Sequence, residues 1–168
     1  MKYLKLNLTL IVLLAVLVAP GLLAAQLTNV TKDFSGLTGE GTLNVRVASG
    51  DVSVSVRNST SVQVQVVNID QRDTEHLKIY QEGNSIFVEF DPDNGRSDAR
   101  FQITAPTAFH QDITTAGGDI SISGEVLGNI KAKTAGGDIS TDDIGGDVTL
   151  KTAGGDIRLG VAGGNAAV

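Results

Sequence analysis

Thr115-Ala116-Gly117-Gly118-Asp119-Ile120 is spelled out three times in this chain, again at Thr134–Ile139 and at Thr152–Ile157. Weaker copies fall between them. Aligned on the last glycine, the units sit at Gly118, Gly128, Gly137, Gly146, Gly155 and Gly164, one step of ten residues followed by four of nine. The next residue is always an acid or its amide: Asp119, Asn129, Asp138, Asp147, Asp156 and Asn165. Self-similarity at a short fixed period marks a repeat architecture. The Gly-Gly-Asp step is expected to form a tight turn in which glycine supplies positive φ angles. A β-branched residue then opens a short alternating strand, as in Ile120/Ile122, Val148/Leu150 and Ile157/Leu159. TAGGD recurs only in every second unit, so the predicted repeat is a coil of about 18 residues with two unlike sides. Stacked coils of this kind make a β-solenoid that buries one apolar row on the next.

The remaining composition agrees with a turn-rich β protein. The chain has 168 residues, 20 glycines, 4% aromatic residues and a net charge of −6. That size predicts one domain. Without cysteine there is no disulfide framework, thiolate metal site or cysteine nucleophile. An acidic chain lacking a Lys/Arg cluster argues against nucleic acid as a partner and against an anionic membrane surface.

Residues 1–25 read as a cleaved secretory signal. Lys2 and Lys5 form the basic start, Leu10–Val18 the apolar stretch, and Ala24-Ala25 the small residues for cleavage. The apolar run is short for a membrane span. Removing the segment leaves 11 basic and 19 acidic residues, a net charge of −8. The domain then covers residues 26–168, with the repeats over 115–168. A strand is predicted near Thr31–Phe34, and three alternating runs follow at Leu43–Val47, Val52–Val56 and Val62–Val66. The turn Ala48-Ser49-Gly50-Asp51 already resembles the later Gly-Gly-Asp turns. Residues 68–76 read as a charged loop. His76–Tyr80 and Ser85–Phe90 read as a hairpin around Glu82-Gly83-Asn84. Ala99–Thr104 and Phe109–Thr114 are strands separated by Pro106. The expected class is all-β: antiparallel strands followed by a β-solenoid stack of short strands with Gly-Gly-Asp turns. A solenoid ends in a polar cap, and the repeat stops without one at Gly163–Val168, so the chain is expected to be cut short there.

Gly50-Asp51-Val52, then Phe101-Gln102-Ile103-Thr104-Ala105-Pro106, then Asp112-Ile113-Thr114 running into the repeated TAGGDI, resembles the bacterial putative-adhesin family. The resemblance covers about residues 34 to 168. It implies an exported all-β protein with a Gly-Asp-rich, solenoid-like fold, and it carries over no catalytic residues.

The row of acids and amides is the main candidate for chemistry. Coils of 18 residues would stack Asp119, Asp138 and Asp156 on one edge and Asn129, Asp147 and Asn165 on the other, one strand spacing of about 5 Å apart. Neighbouring carboxylates at that distance repel. Calcium held by Asp119, Asp138 and Asp156 with turn carbonyls is one way to offset this. The favoured alternative is that each side chain caps its own turn, with Lys133 and Lys151 supplying compensating charge and no cofactor involved. Thr115, Thr134 and Thr152 stack as a strand-edge hydrogen-bonding row. Asp142 and Asp143 read as isolated turn acids, and His76 beside Glu75 as a solvated strand end.

No Ser/His/Asp triad or phosphate-binding loop is spelled out. The function expected from the sequence is therefore non-enzymatic: an exported module, in the periplasm, at the surface or secreted, that binds a cell-surface, glycan or envelope component. The alternatives are a β-helical carbohydrate-active enzyme and a structural module that self-associates through its sheet edges.

Overall fold

The structure, a computed structural model, describes residues 26–93 and 95–168. The predicted signal segment lies outside the described residues. The protein is all-β. Its strands are β1 (Leu27–Ser35), β2 (Gly41–Val47), β3 (Asp51–Arg57), β4 (Ser61–Asp70), β5 (Leu77–Glu82), β6 (Ser85–Phe90), β7 (Arg100–Pro106), β8 (Phe109–Thr115), β9 (Ile120–Ser123), β10 (Ile130–Lys133), β11 (Ile139–Thr141), β12 (Val148–Lys151), β13 (Ile157–Leu159) and β14 (Ala166–Ala167). They form two mixed seven-stranded sheets, β1-β4-β7-β3-β9-β11-β13 and β14-β12-β10-β8-β2-β6-β5.

From β8 to β14 the chain alternates between the sheets, and every neighbouring pair in this region is parallel. The register follows the sequence repeat: Ile120, Ile139 and Ile157 are neighbours in the first sheet, and Ile130, Val148 and Ala166 in the second. The 18-residue coil is thus present, but it has a third, short side. Val126, Ile144 and Ala162 form single parallel bridges between β9 and β10, β11 and β12, and β13 and β14. Alternation does the rest: Ile120, Ile122, Ile130, Ala132, Ile139, Val148 and Leu150 all point into one core.

The earlier strands correct the expectation of an antiparallel lead-in. β2 and β3 are not partners; each joins a different sheet, where both of its neighbours are parallel. The coil β2–β3 is inserted between the coil β6–β7 and the coil β8–β9, although β6 and β7 come later in the chain. Antiparallel pairing is confined to β1–β4, β4–β7 and β5–β6, at one end of the stack. The segment expected as a loop over 68–76 is instead the end of β4 and a 3-10 turn, Gln71–His76. Asp70 caps that turn through Arg72 N at 3.0 Å, and the Arg72 guanidinium beside it holds the Asp70 carboxyl at about 2.

The end formed by β1 and β5 carries its own protection. Lys32 of β1 reaches across to donate to the Ile79 carbonyl of β5 at 2.5 Å. A lysine on an edge strand discourages pairing with another chain.

One core residue breaks the pattern. The row Ile86, Leu43, Gln111, Ile130, Val148 is apolar except for its middle member. Gln111 is 1% exposed, and neither its amide nitrogen nor its amide oxygen has a hydrogen-bond partner among the described residues. A buried amide without partners is costly, and an apolar residue of similar shape removes that cost. Gln111→Met is therefore expected to raise stability by about 1–2 kcal/mol. The check is the urea midpoint at constant slope; a fall in midpoint would show that the amide is satisfied in solution.

Candidate functional site

The TAGGD motif folds into a clamp between successive coils. The hydroxyl of Thr134 donates to the Gly118 carbonyl of the preceding coil at 2.9 Å and accepts from Gly137 N of its own turn at 3.2 Å. Thr152 repeats this with the Gly137 carbonyl at 2.9 Å and Gly155 N at 3.1 Å. Thr115 does the same with the Gly50 carbonyl and Gly118 N. The predicted threonine row thus bonds backbone.

The second glycine of each motif is required by space. An added Cβ at Gly118, Gly137 or Gly155 would collide with the carbonyl of Gly50, Gly118 or Gly137, the equivalent glycine one coil earlier. The expected reason, positive φ, does not apply, since none of these glycines has a positive φ. Gly50, at the start of the series, has both features: φ of +114° and no room against the Ala99 carbonyl.

The aspartates complete the clamp, but each caps the turn of the following coil, not its own as expected. Asp119 N donates to Asp51 Oδ1 at 3.1 Å, Asp138 N to Asp119 Oδ1 at 2.8 Å, and Asp156 N to Asp138 Oδ1 at 2.8 Å. The resemblance of the Gly50-Asp51 turn to the repeats is therefore structural, and Asp51 is the first rung. The opposite edge forms a second ladder. Asp147 N donates to Asn129 Oδ1 at 2.9 Å, and Asn165 N to Asp147 Oδ1 at 2.8 Å. Its first rung, His110, was not marked by the sequence: Nδ1 accepts from Asn129 N at 2.9 Å, so a histidine does the work of an asparagine. Asp142 and Asp143, expected to be isolated, cap Gly124 N and Val161 N, each 18 residues away and each at 3.0 Å.

Charge compensation also differs from expectation. Neither Lys133 nor Lys151 forms an ion pair among the described residues. Arg158 lies 3.8 Å from both Asp138 and Asp156, and Arg100 lies 3.9 Å from Asp51. These pairs are exposed and weak, so the backbone N–H groups received by the carboxylates are the stronger stabilisation. His76 is not a strand end: it closes the 3-10 turn, with Nε2 at 3.2 Å from Asp93 and 3.7 Å from Glu75.

Among the described residues, no group of three or more His, Cys, Asp or Glu is arranged to hold a metal ion. Asp119 and Asp138 each use Oδ1 on backbone, and calcium prefers six to eight oxygens. The melting temperature is expected to be the same in chelator and in millimolar calcium, because a ligand of the folded state alone would raise it. A calcium-dependent rise would assign Asp119, Asp138 and Asp156 as ligands.

Solved structures match this chain at low sequence identity. A putative cell adhesion protein from Clostridium sporogenes is 9% identical, with a TM-score of 0.53 over 84% of this chain and 99% of that one. A putative adhesin from Parabacteroides distasonis is 14% identical, with a TM-score of 0.40 over 84% of this chain and 68% of that one. A putative adhesin from Bacteroides fragilis is 11% identical, with a TM-score of 0.31 over 83% and 95% of the two chains. The first of these shows the fold. No family model matches the chain, and no curated protein matches it.

Proposed function

We propose that this protein is an exported, non-enzymatic β-solenoid of the putative-adhesin kind, a surface or envelope module that binds through a rigid, repetitive polar face. The observation that carries the reading is the use made of the repeat's polar residues. The Thr115, Thr134 and Thr152 hydroxyls and the carboxylates of Asp119, Asp138 and Asp147 are engaged in holding coil to coil. What faces outward is the alternate set of strand residues, spread over two sheets and fixed in register by the clamps. Such a surface is suited to recognition by many repeated contacts. Cell adhesion, the role in the description of the Clostridium sporogenes protein, is one use of such a face; the reading for this chain rests on its own geometry.

The test is protease treatment of intact bacteria expressing the tagged full chain, with lysed cells as reference. Cleavage on intact cells is the expected result. Protection until lysis would remove the surface role and leave a module working inside the envelope.

A further inference from the structure

The two lysines of the repeat that compensate no ladder aspartate have another place. They lie on the outer face of the second sheet, where the register sets up the row Lys78, Glu89, Arg46, Thr114, Lys133, Lys151. Lys133 and Lys151 are directly paired neighbours. Like charges in that position destabilise a sheet. Yet among the described residues neither one, nor Arg46, makes an ion pair or side-chain hydrogen bond. Lys131, one pleat along, is held by Asp112 at 3.0 Å. Beside that pair the face is hollowed by about 410 Å³, with Thr42, His110, Asp112, Lys131, Asp147 and Thr149 among its lining residues. The contrast with the other sheet is sharp. Its corresponding outer row is Gln65, Gln102, Ser53, Ser121, Ser140, uncharged until Arg158. The outer face of the second sheet thus carries Arg46, Lys133 and Lys151 in one row without ion pairs among the described residues, in a protein that is acidic overall.

We infer that this row is the binding track for a linear anionic polysaccharide lying across the strands, along the stack of coils; the inference rests on the surface-binding reading above. Three features select this partner. The cations are spaced by the strand repeat, about 5 Å between Lys133 and Lys151 and about 10 Å from Lys133 to Arg46, a scale shared by the sugar repeat of a polyuronate. The row is one-dimensional, with Glu89 between Lys78 and Arg46 and Asp112 beside it, which suits a thin polymer and repels a planar anionic membrane. The adjoining hollow offers hydroxyl, imidazole and paired charged groups, the donors and acceptors that sugar hydroxyls require. Nucleic acid is disfavoured because the half-exposed aromatics of this face, Tyr80 and Phe87, stack on each other at 5.0 Å and offer no free platform to bases.

The experiment is calorimetric titration of the purified protein with polygalacturonate at low salt, with dextran as the neutral reference. Saturable binding to polygalacturonate alone is expected, weakening steeply as salt rises because bound counterions are released. Lys133→Ser/Lys151→Ser should weaken it about tenfold or more. Ser121→Glu/Ser140→Glu, which makes the same change in net charge on the opposite face, should leave it within about twofold. Outward side chains are altered in both, and matching melting temperatures verify the fold. Absence of binding, equal weakening by the two variants, or equal binding to a single-stranded oligonucleotide or to anionic vesicles would each overturn the assignment. Cleavage on intact cells without polyanion binding removes the track and keeps the surface role. Protection on intact cells with polyanion binding does the reverse.

Discussion

Gly137→Ala is expected to destabilise the protein by about 3 kcal/mol or more, while Gly136→Ala, one residue earlier in the same motif, should change stability by less than about 1 kcal/mol. The two glycines read alike in sequence and meet different surroundings. Around Gly137 an added methyl would overlap the Gly118 carbonyl and crowd the Asp119 carboxylate, both of the preceding coil and both acceptors in the clamp between the two coils. Backbone on that side cannot yield without breaking the threonine bond to the same carbonyl. Around Gly136 nothing lies within 4 Å. Its φ is not positive, so alanine meets no backbone strain there and reduces the freedom of the unfolded chain. Urea unfolding of both variants, compared at constant slope, is the measurement. Equal losses would mean that conformational freedom, not contact between coils, is what the motif requires.

Thr134→Val should cost about 2–4 kcal/mol. Valine keeps the shape of threonine, so packing is preserved and only the hydroxyl is lost. That hydroxyl serves two backbone groups in a buried site: it donates to the Gly118 carbonyl and accepts from Gly137 N. Both would be left without that partner at a position 7% exposed. An unmet buried polar group costs about 1–3 kcal/mol. Thr134→Ser retains the oxygen and should recover most of the loss. Thr152→Val, half-buried toward the end of the repeats, should cost less than Thr134→Val, because water reaches the groups it exposes. A serine variant as unstable as the valine variant would transfer the effect from the hydrogen bonds to the methyl group.

The all-β class, the coil length and most strand positions follow from residues in local sequence. Alternation such as Val52-Ser53-Val54-Ser55-Val56 determines which side chains turn inward whichever strand lies alongside, and the spacing of Gly118, Gly137 and Gly155 gives the coil without reference to any partner. The predicted hairpin at Glu82-Gly83-Asn84 likewise depends only on neighbours in the chain.

The purpose of the motif residues was less legible, because each acts across to a coil about 18 residues away. Gly137 is glycine for lack of space beneath Gly118, a property of stacking that no local angle reveals. Asp138 caps Asp156 and not itself, and His110 serves as a rung with no resemblance to the aspartates it stands in line with.

The sequence by itself determined the repeat, its 18-residue period and the row of acids, since these are periodic and local. Only the tertiary structure decided that β2–β3 slides between two later coils, that the ladder carboxylates bond across coils, and that Lys133 and Lys151 stand in one row with Arg46, without ion pairs among the described residues. The physical reason is the same in each case. Parallel strands acquire neighbours through returns of the chain, and the register of those returns, absent from any single stretch, selects which charges and hydroxyls meet.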